Sequence, residues 1–477
     1  MHYLSFTISL NYIKTREQRM YSKRQSAKPL GIFTLVMINI IAIDSLRNLP
    51  TNAASGYSII SYYLIAAVLF LLPCALITAE LAAKYPERGG VYVWVREAFG
   101  KPTAFFTIWL QWIYNVVWYP SILVFIATNI AYLIYPQLLS HSNFHIPKLF
   151  LITTIALLFL IATSVNSLGM LISGLVSNLS AIIGTLLPMA ILIIIGVDFW
   201  HHHSSTIPTI NHFLPFHGHK NHLALLSIVI FSLMGLEMSA VHAKEVKNPK
   251  RDYPLALISS GLIITITLIL ATLAIIVILP PNKINIISGM ANAFHHFFQQ
   301  AGYSDIFFYL IISMIIFGAF GGMSAWVIGP TKALLVAAED GLLPKILSKT
   351  NRFQAPANIL ILQFILVMVL SCLFLQFKEI TTPYLILSEI TAVLALIFYI
   401  CFFASAIKLS KNIKTNIAAT IGIITCIIVI IMSFLPPDDI PTGNIYVYEG
   451  LLIGGSLLMV SIPLLIILIN KIKRHQH

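Results

Sequence analysis

The sequence predicts an all-α integral membrane protein with twelve transmembrane helices, and three observations carry that expectation. Of its 477 residues, 58% are hydrophobic and only 10% are charged, whereas soluble domains carry roughly 25% charged residues. That leaves too few charged side chains to cover a water-facing surface. Apolar stretches of about 20 residues, enough to cross ~30 Å of hydrocarbon, recur along the whole chain. Lysine and arginine, finally, are unevenly shared among the segments between those stretches.

The spans are expected near 31–49, 58–82, 103–134, 149–165, 170–197, 223–243, 254–279, 305–338, 357–377, 383–407, 415–435 and 447–470. An even number puts both termini on one side. Of the 29 Lys and Arg residues, 24 fall on that side, four on the other, and Arg47 within a span. The positive-inside rule then makes both termini cytoplasmic. The net charge of +12 is therefore a topology signal rather than a nucleic-acid footprint. The first 29 residues form a basic cytoplasmic tail whose opening, "MHYLSFTISLNYI", lacks the cleavage site of a signal peptide.

Five spans per unit gives a first five-helix repeat over 30–198, a His-rich outer loop over 199–222 and a second repeat over 223–407. Helices 11 and 12 and a short cytoplasmic tail fill 408–477. The first and sixth spans, five apart and opposite in direction, each carry ionisable residues where hydrocarbon is expected, the pattern of interrupted helices in an inverted repeat. The first reads "GIFTLVMINIIAIDSLRNLP", with Asp44, Ser45 and Arg47; the sixth reads "IVIFSLMGLEMSA", with Gly235 beside Glu237.

Charges at the bilayer centre cost at least roughly 2.5–3.5 kcal/mol, so they face partners or a water-filled cavity. For Glu237 the functional reading is gating or proton coupling beside a helix break that Gly235 permits. The bland reading is a carboxylate satisfying the donors that the break frees. Asp44 and Arg47, three residues apart, would form an ion pair on an intact helix. On a broken one, Arg47 would favour an acidic substrate and Asp44 an ammonium. Trp326, after a Gly-Gly step, packs or closes over a cationic group. The stripe Trp109, Trp112, Tyr114 and Trp118 reads as bundle packing, and Glu389, inside the tenth span, faces protein or water with no assigned role.

Enzymatic readings find no support: HExxH, Walker and G-x-S-x-G patterns are absent from the sequence. No cofactor and no metal are expected. His201, His202 and His203 are adjacent and do not share a helical face, and the four cysteines (Cys74, Cys372, Cys401, Cys426) lie in apolar spans without paired spacing. A channel or a non-transporting sensor remains the alternative of another class, and oligomeric state is not legible.

The stretch "GLEMSAVHAKEVKNPKRDYPLAL" resembles the sixth-helix signature of amino-acid/polyamine/organocation permeases, most closely the glutamate/γ-aminobutyrate antiporter branch. "AELAAKYPERGGVYVWVREAFG", "SAWVIGPTKALLVAAEDGLLP" and "SFLPPDDI" agree, in order, over about residues 30–470. The resemblance implies a LeuT-type 5+5 inverted repeat with helices 1 and 6 unwound. It places substrate-binding positions at Ile41, Ala42, Ile43, Asp44, Ser45, Met234, Gly235 and Leu236. It gives gating or proton coupling to Phe231, Glu237 and Trp326; Arg47, from its place in the first span, would select substrate charge. The implied function is alternating-access exchange of amino acids, as small-molecule substrates, across a bacterial inner membrane, with protons as further expected partners. A proton-coupled symporter of a neutral or basic amino acid is the alternative within the class. Two departures stand out: Asp44 where relatives carry small residues, and Gly322 where glutamate exporters can carry an acidic one. No C-terminal plug is expected, since the chain stops shortly after the last helix.

Overall fold

The computed structural model describes residues 31–53, 55–85, 89–135, 146–168, 179–203, 209–214, 224–246, 248–279, 284–434 and 445–475. The expected tail 1–29 and much of the loop 199–222 lie outside the described residues. Every regular element among the described residues is helical. Eleven helices there have the length and apolarity to cross a membrane.

The chain enters through α1 (Ile32–Ile43), which stops where the backbone turns extended at Asp44 (ψ 108°) and Ser45 (ψ 118°). One turn of 3-10 helix, Leu46–Asn48, leads into α2 (Leu49–Ala53). Next come α3 (Ile59–Ala66) and α4 (Leu72–Lys84), joined by a wide π turn over Ala67–Leu71, and then the short α5 (Val91–Phe99). Gly100, at φ 86°, reverses the chain into the long α6 (Lys101–Ile134), with Pro102 in its first turn, where a missing N–H costs nothing. α7 (Lys148–Ser167) follows, then a second π turn, Ile182–Leu186, running into α8 (Leu187–His203).

After the four-residue α9 (Ile210–Phe213), α10 (Ala224–Phe231) ends within its apolar run. Gly235, at φ 127°, breaks the chain there, and a 3-10 helix, Leu236–Glu245, continues it. The expected sixth span, 223–243, is thus not one continuous crossing helix: a shorter apolar run, Leu226–Ala240, is split by a left-handed glycine. This is why eleven helices rather than twelve meet the length criterion.

α11 (Pro249–Ile278) begins with Pro249 in its first turn and Asp252 against the positive end of the helix dipole. The remainder is α12 (Gly289–Gln300), α13 (Asp305–Glu339), α14 (Ala357–Ser371), α15 (Leu373–Gln376), α16 (Thr381–Leu409), α17 (Ile413–Ser433) and α18 (Ile445–His475). The Ser304 side chain caps α13 by accepting from the Ile306 N–H.

α6 and α16 are the most deeply buried spans. Rings from both pack between them, as Tyr114 does edge-on to Phe398 at 6.0 Å. The second π turn meets α13 glycine to glycine: a Cβ on Gly184 would sit 2.2 Å from the Gly318 nitrogen. Outward-facing Ile424, Ile431, Leu457 and Leu464 on α17 and α18 are exposed, a surface suited to lipid rather than water. The protein is a multi-pass membrane protein.

Candidate functional site

One cavity of about 900 Å³, its mouth included, lies where the two interruptions meet. The first interruption contributes Ile41 through Asn48; Phe231 and Met234 come from the second, and Trp118, Thr185 and Trp326 from the surrounding helices. Helix ends leave backbone groups without intrahelical partners. One of these is answered by a side chain, since the Trp326 Nε1–H donates to the Ala42 carbonyl at 3.1 Å. The indole thereby ties α13 to the end of α1.

Asp44 and Arg47 supply the charge, and both are buried, at 4% and 2% exposure. They do not pair with each other. The extended backbone at Asp44 and Ser45 removes the helical register that would have brought residues three apart together, so the ion pair expected of an intact helix is absent. Asp44 accepts a hydrogen bond from Thr267 at 3.1 Å through Oδ2, and its Oδ1 has no protein partner. The Arg47 guanidinium lies 5.1 Å from the Tyr384 ring centre and 5.9 Å from that of Trp118, in cation–π range. Its Nη1 donates to Ser388 Oγ at 3.4 Å, and its Nε has no acceptor. Two oppositely charged residues therefore line one cavity, each with a polar atom left without a partner.

Glu237 is placed differently. It is buried but does not line the cavity. The Tyr399 hydroxyl donates to its Oε2 at 2.6 Å and accepts the Gly235 N–H at 2.9 Å, so one phenol links the carboxylate to the backbone of the break. Gly235 also fills a packing role: a Cβ there would stand 3.2 Å from both Ile43 and Trp326.

Of the residues expected at the site, Ile41, Ala42, Ile43, Asp44, Ser45, Arg47, Phe231, Met234 and Trp326 come together on the lining. Gly235, Leu236 and Glu237 stand behind it. Sequence reasoning missed Trp118, Tyr384, Ser388 and Tyr399. Trp118 belongs to an aromatic stripe in which spacing marks no single member, and the others sit on α16, at least 149 residues from Gly235, with no local signal. Among the described residues no three His, Cys, Asp or Glu side chains gather to hold a metal.

A family model described as amino acid permease matches residues 30–458. A protein of Legionella pneumophila called an uncharacterized transporter is 45% identical over 456 residues, covering 92% of this chain and 96% of that protein. A glutamate/gamma-aminobutyrate antiporter of Lactococcus lactis subsp. lactis is 26% identical over 473 residues, covering 94% and 92%. A protein of the same bacterium named a probable agmatine/putrescine antiporter is 28% identical over 326 residues, covering 67% and 66%.

Proposed function

We propose that this chain, which belongs to the amino acid permease family, exchanges one amino acid for another by alternating access. It is a transporter and not an enzyme. The observation that carries the exchange reading is the cavity in which the two helix interruptions meet, with Asp44 and Arg47 on its wall and not paired with each other. A zwitterion complements that wall. In this reading Asp44 takes the ammonium, free backbone groups at the interruptions take the α-carboxylate, and Arg47 takes a carboxylate on the substrate side chain. The likeness to a glutamate/gamma-aminobutyrate antiporter supports the same substrate class.

The finer architecture belongs to this reading. Residues 30–198 and 223–407 are two inverted five-helix repeats of a twelve-helix LeuT-type fold. The break after α1 and the break after α10 are its two unwound helices. Phe231 and Trp326 gate the cavity, and Glu237 gates or couples protons through Tyr399 and the Gly235 backbone. The distribution of Lys and Arg supports cytoplasmic termini in a bacterial inner membrane. Rocking of the broken helices and their neighbours against the remaining bundle opens the cavity to each side in turn.

Counterflow in proteoliposomes tests the proposal. Vesicles are loaded in turn with glutamate, γ-aminobutyrate, glutamine, arginine or nothing, and uptake of each labelled compound is followed. Uptake confined to loaded vesicles is the expected result. Uptake into empty vesicles under an imposed proton gradient would make the protein a symporter and overturn exchange.

A further inference from the structure

A second cavity, of about 330 Å³, adjoins the central one. Thr51 of α2, Ile228 and Phe231 of α10, and Tyr384 and Glu389 of α16 help line it. Arg47, Asn48 and Phe231 line both cavities and so form the partition between them. On the two linings Arg47 is the basic side chain, and Asp44 and Glu389 are the acidic ones.

Glu389 is 5% exposed, and its carboxylate accepts from Ser227 Oγ at 3.3 and 3.2 Å. A single hydroxyl leaves most of the carboxylate's acceptor capacity unused. Arg47 already leans toward α16: its hydrogen bond goes to Ser388, the residue before Glu389, at a length of 3.4 Å that marks a weak contact. A guanidinium offers five donors suited to bidentate capture of a carboxylate. A buried charge without a partner is strongly destabilising. Two carboxylates can compete for the guanidinium: one brought by a substrate into the central cavity, and that of Glu389, which shares the lining of the second cavity with Arg47.

We propose that Glu389 is a specificity-determining residue that acts through Arg47, as the protein's own competitor for the guanidinium against the side-chain carboxylate of an acidic substrate. With the central cavity empty, Arg47 turns into the side cavity and pairs with Glu389. An acidic substrate draws it back, so binding such a substrate includes breaking that pair. A neutral amino acid leaves Arg47 with Glu389 and is bound without this cost. The inference rests on the transport reading above and deepens it: Glu389 positions Arg47 and touches no substrate.

The test is the KM of glutamate and of glutamine, its neutral isostere, for the full-length protein in proteoliposomes. Glu389→Gln is expected to lower the glutamate KM by roughly fivefold, within the range of coupled buried pairs, with the glutamine KM unchanged. In an Arg47→Gln background the same substitution is expected to do nothing. Equal shifts for both substrates, or a shift that persists without Arg47, would overturn the inference. Exchange by the unaltered protein that admits neutral amino acids alone would do so too. Ser227→Ala provides a second variant if Glu389→Gln fails to reach the membrane. It frees the carboxylate for Arg47 and is expected to raise the glutamate KM selectively, and no selective change would count against the inference. Absence of counterflow for every amino acid would instead sink the transport reading itself.

Discussion

Asp44 and Glu237 are both carboxylates placed at helix interruptions, and the protein treats them in opposite ways. Asp44 stands on the cavity wall with one buried oxygen left unpartnered. Glu237 stands one layer behind, held by a phenol that also holds the broken backbone. The difference follows from how each break is made. At the first, two extended residues put Asp44 on the cavity lining, with a donor from α11 on one oxygen only. At the second, the break is a left-handed glycine, and the carboxylate two residues on lies within a 3-10 turn that packs inward. Proximity to a break is therefore not enough to put a charge in contact with substrate. The backbone path decides.

The comparison breaks most visibly through binding. Asp44→Asn is expected to raise the KM for the exchanged amino acid by about tenfold or more, the loss of one charge-assisted hydrogen bond, with little change in thermal stability. Tyr399→Phe is expected to do the reverse. It strips the Glu237 carboxylate and the Gly235 N–H of their shared partner, at about 1–3 kcal/mol for buried groups left unsatisfied. The melting temperature in detergent should fall while the KM holds. If Asp44→Asn destabilised the protein and Tyr399→Phe altered the KM instead, the roles assigned to the two carboxylates would be wrong.

Glu237→Gln sharpens the second half of the comparison. The amide still accepts from Tyr399, so the fold should persist, and the pH dependence of exchange should flatten. Pulling uptake rates from pH 5.5 to 7.5 checks this, and an unaltered profile would leave Glu237 a structural residue. The smallest effect belongs to a third carboxylate, Asp340, just beyond α13. Burial pushes its carboxyl upward, but hydrogen bonds from Lys101 and Tyr92 outweigh that and hold it below the ordinary value of 3.8. The Lys101 contact is 2.8 Å long, and the lysine is half exposed. A lowered pKa means the tie is fully present above the ordinary carboxylate range and is lost as pH falls through the lowered value. Asp340→Asn should cost about 1 kcal/mol or less at neutral pH, and the difference in melting temperature should vanish in acid.

Much of this was legible in the sequence, because hydrocarbon imposes a strict length and composition on whatever crosses it. The positions of both interruptions were legible for the same reason: Asp44, Arg47 and Glu237 are conspicuous against Ile, Leu and Val. What could not be read was pairing. The separation three residues apart predicted an Asp44–Arg47 contact that holds only on an intact helix. Tyr399 and Ser388 make their contacts across the bundle, and nothing local in "LSEITAV" or "IFYICFF" distinguishes them from packing; Glu389 is conspicuous as a charge, but its partner Ser227 is not legible. Gly235 showed the converse, since its sequence context announced a break while its packing against Ile43 and Trp326 required the fold.

The central claim, that an amino acid occupies the cavity between the interruptions, is tested most directly by substrate protection. Ser45, on the cavity wall, is replaced by cysteine after the four native cysteines are removed, and labelling by a membrane-permeant maleimide is timed in proteoliposomes. The amino acid that drives counterflow, at ten times its half-saturating concentration, should slow labelling by roughly tenfold through simple occupancy. Labelling that proceeds at the same rate with and without that amino acid would place the substrate elsewhere and contradict the account.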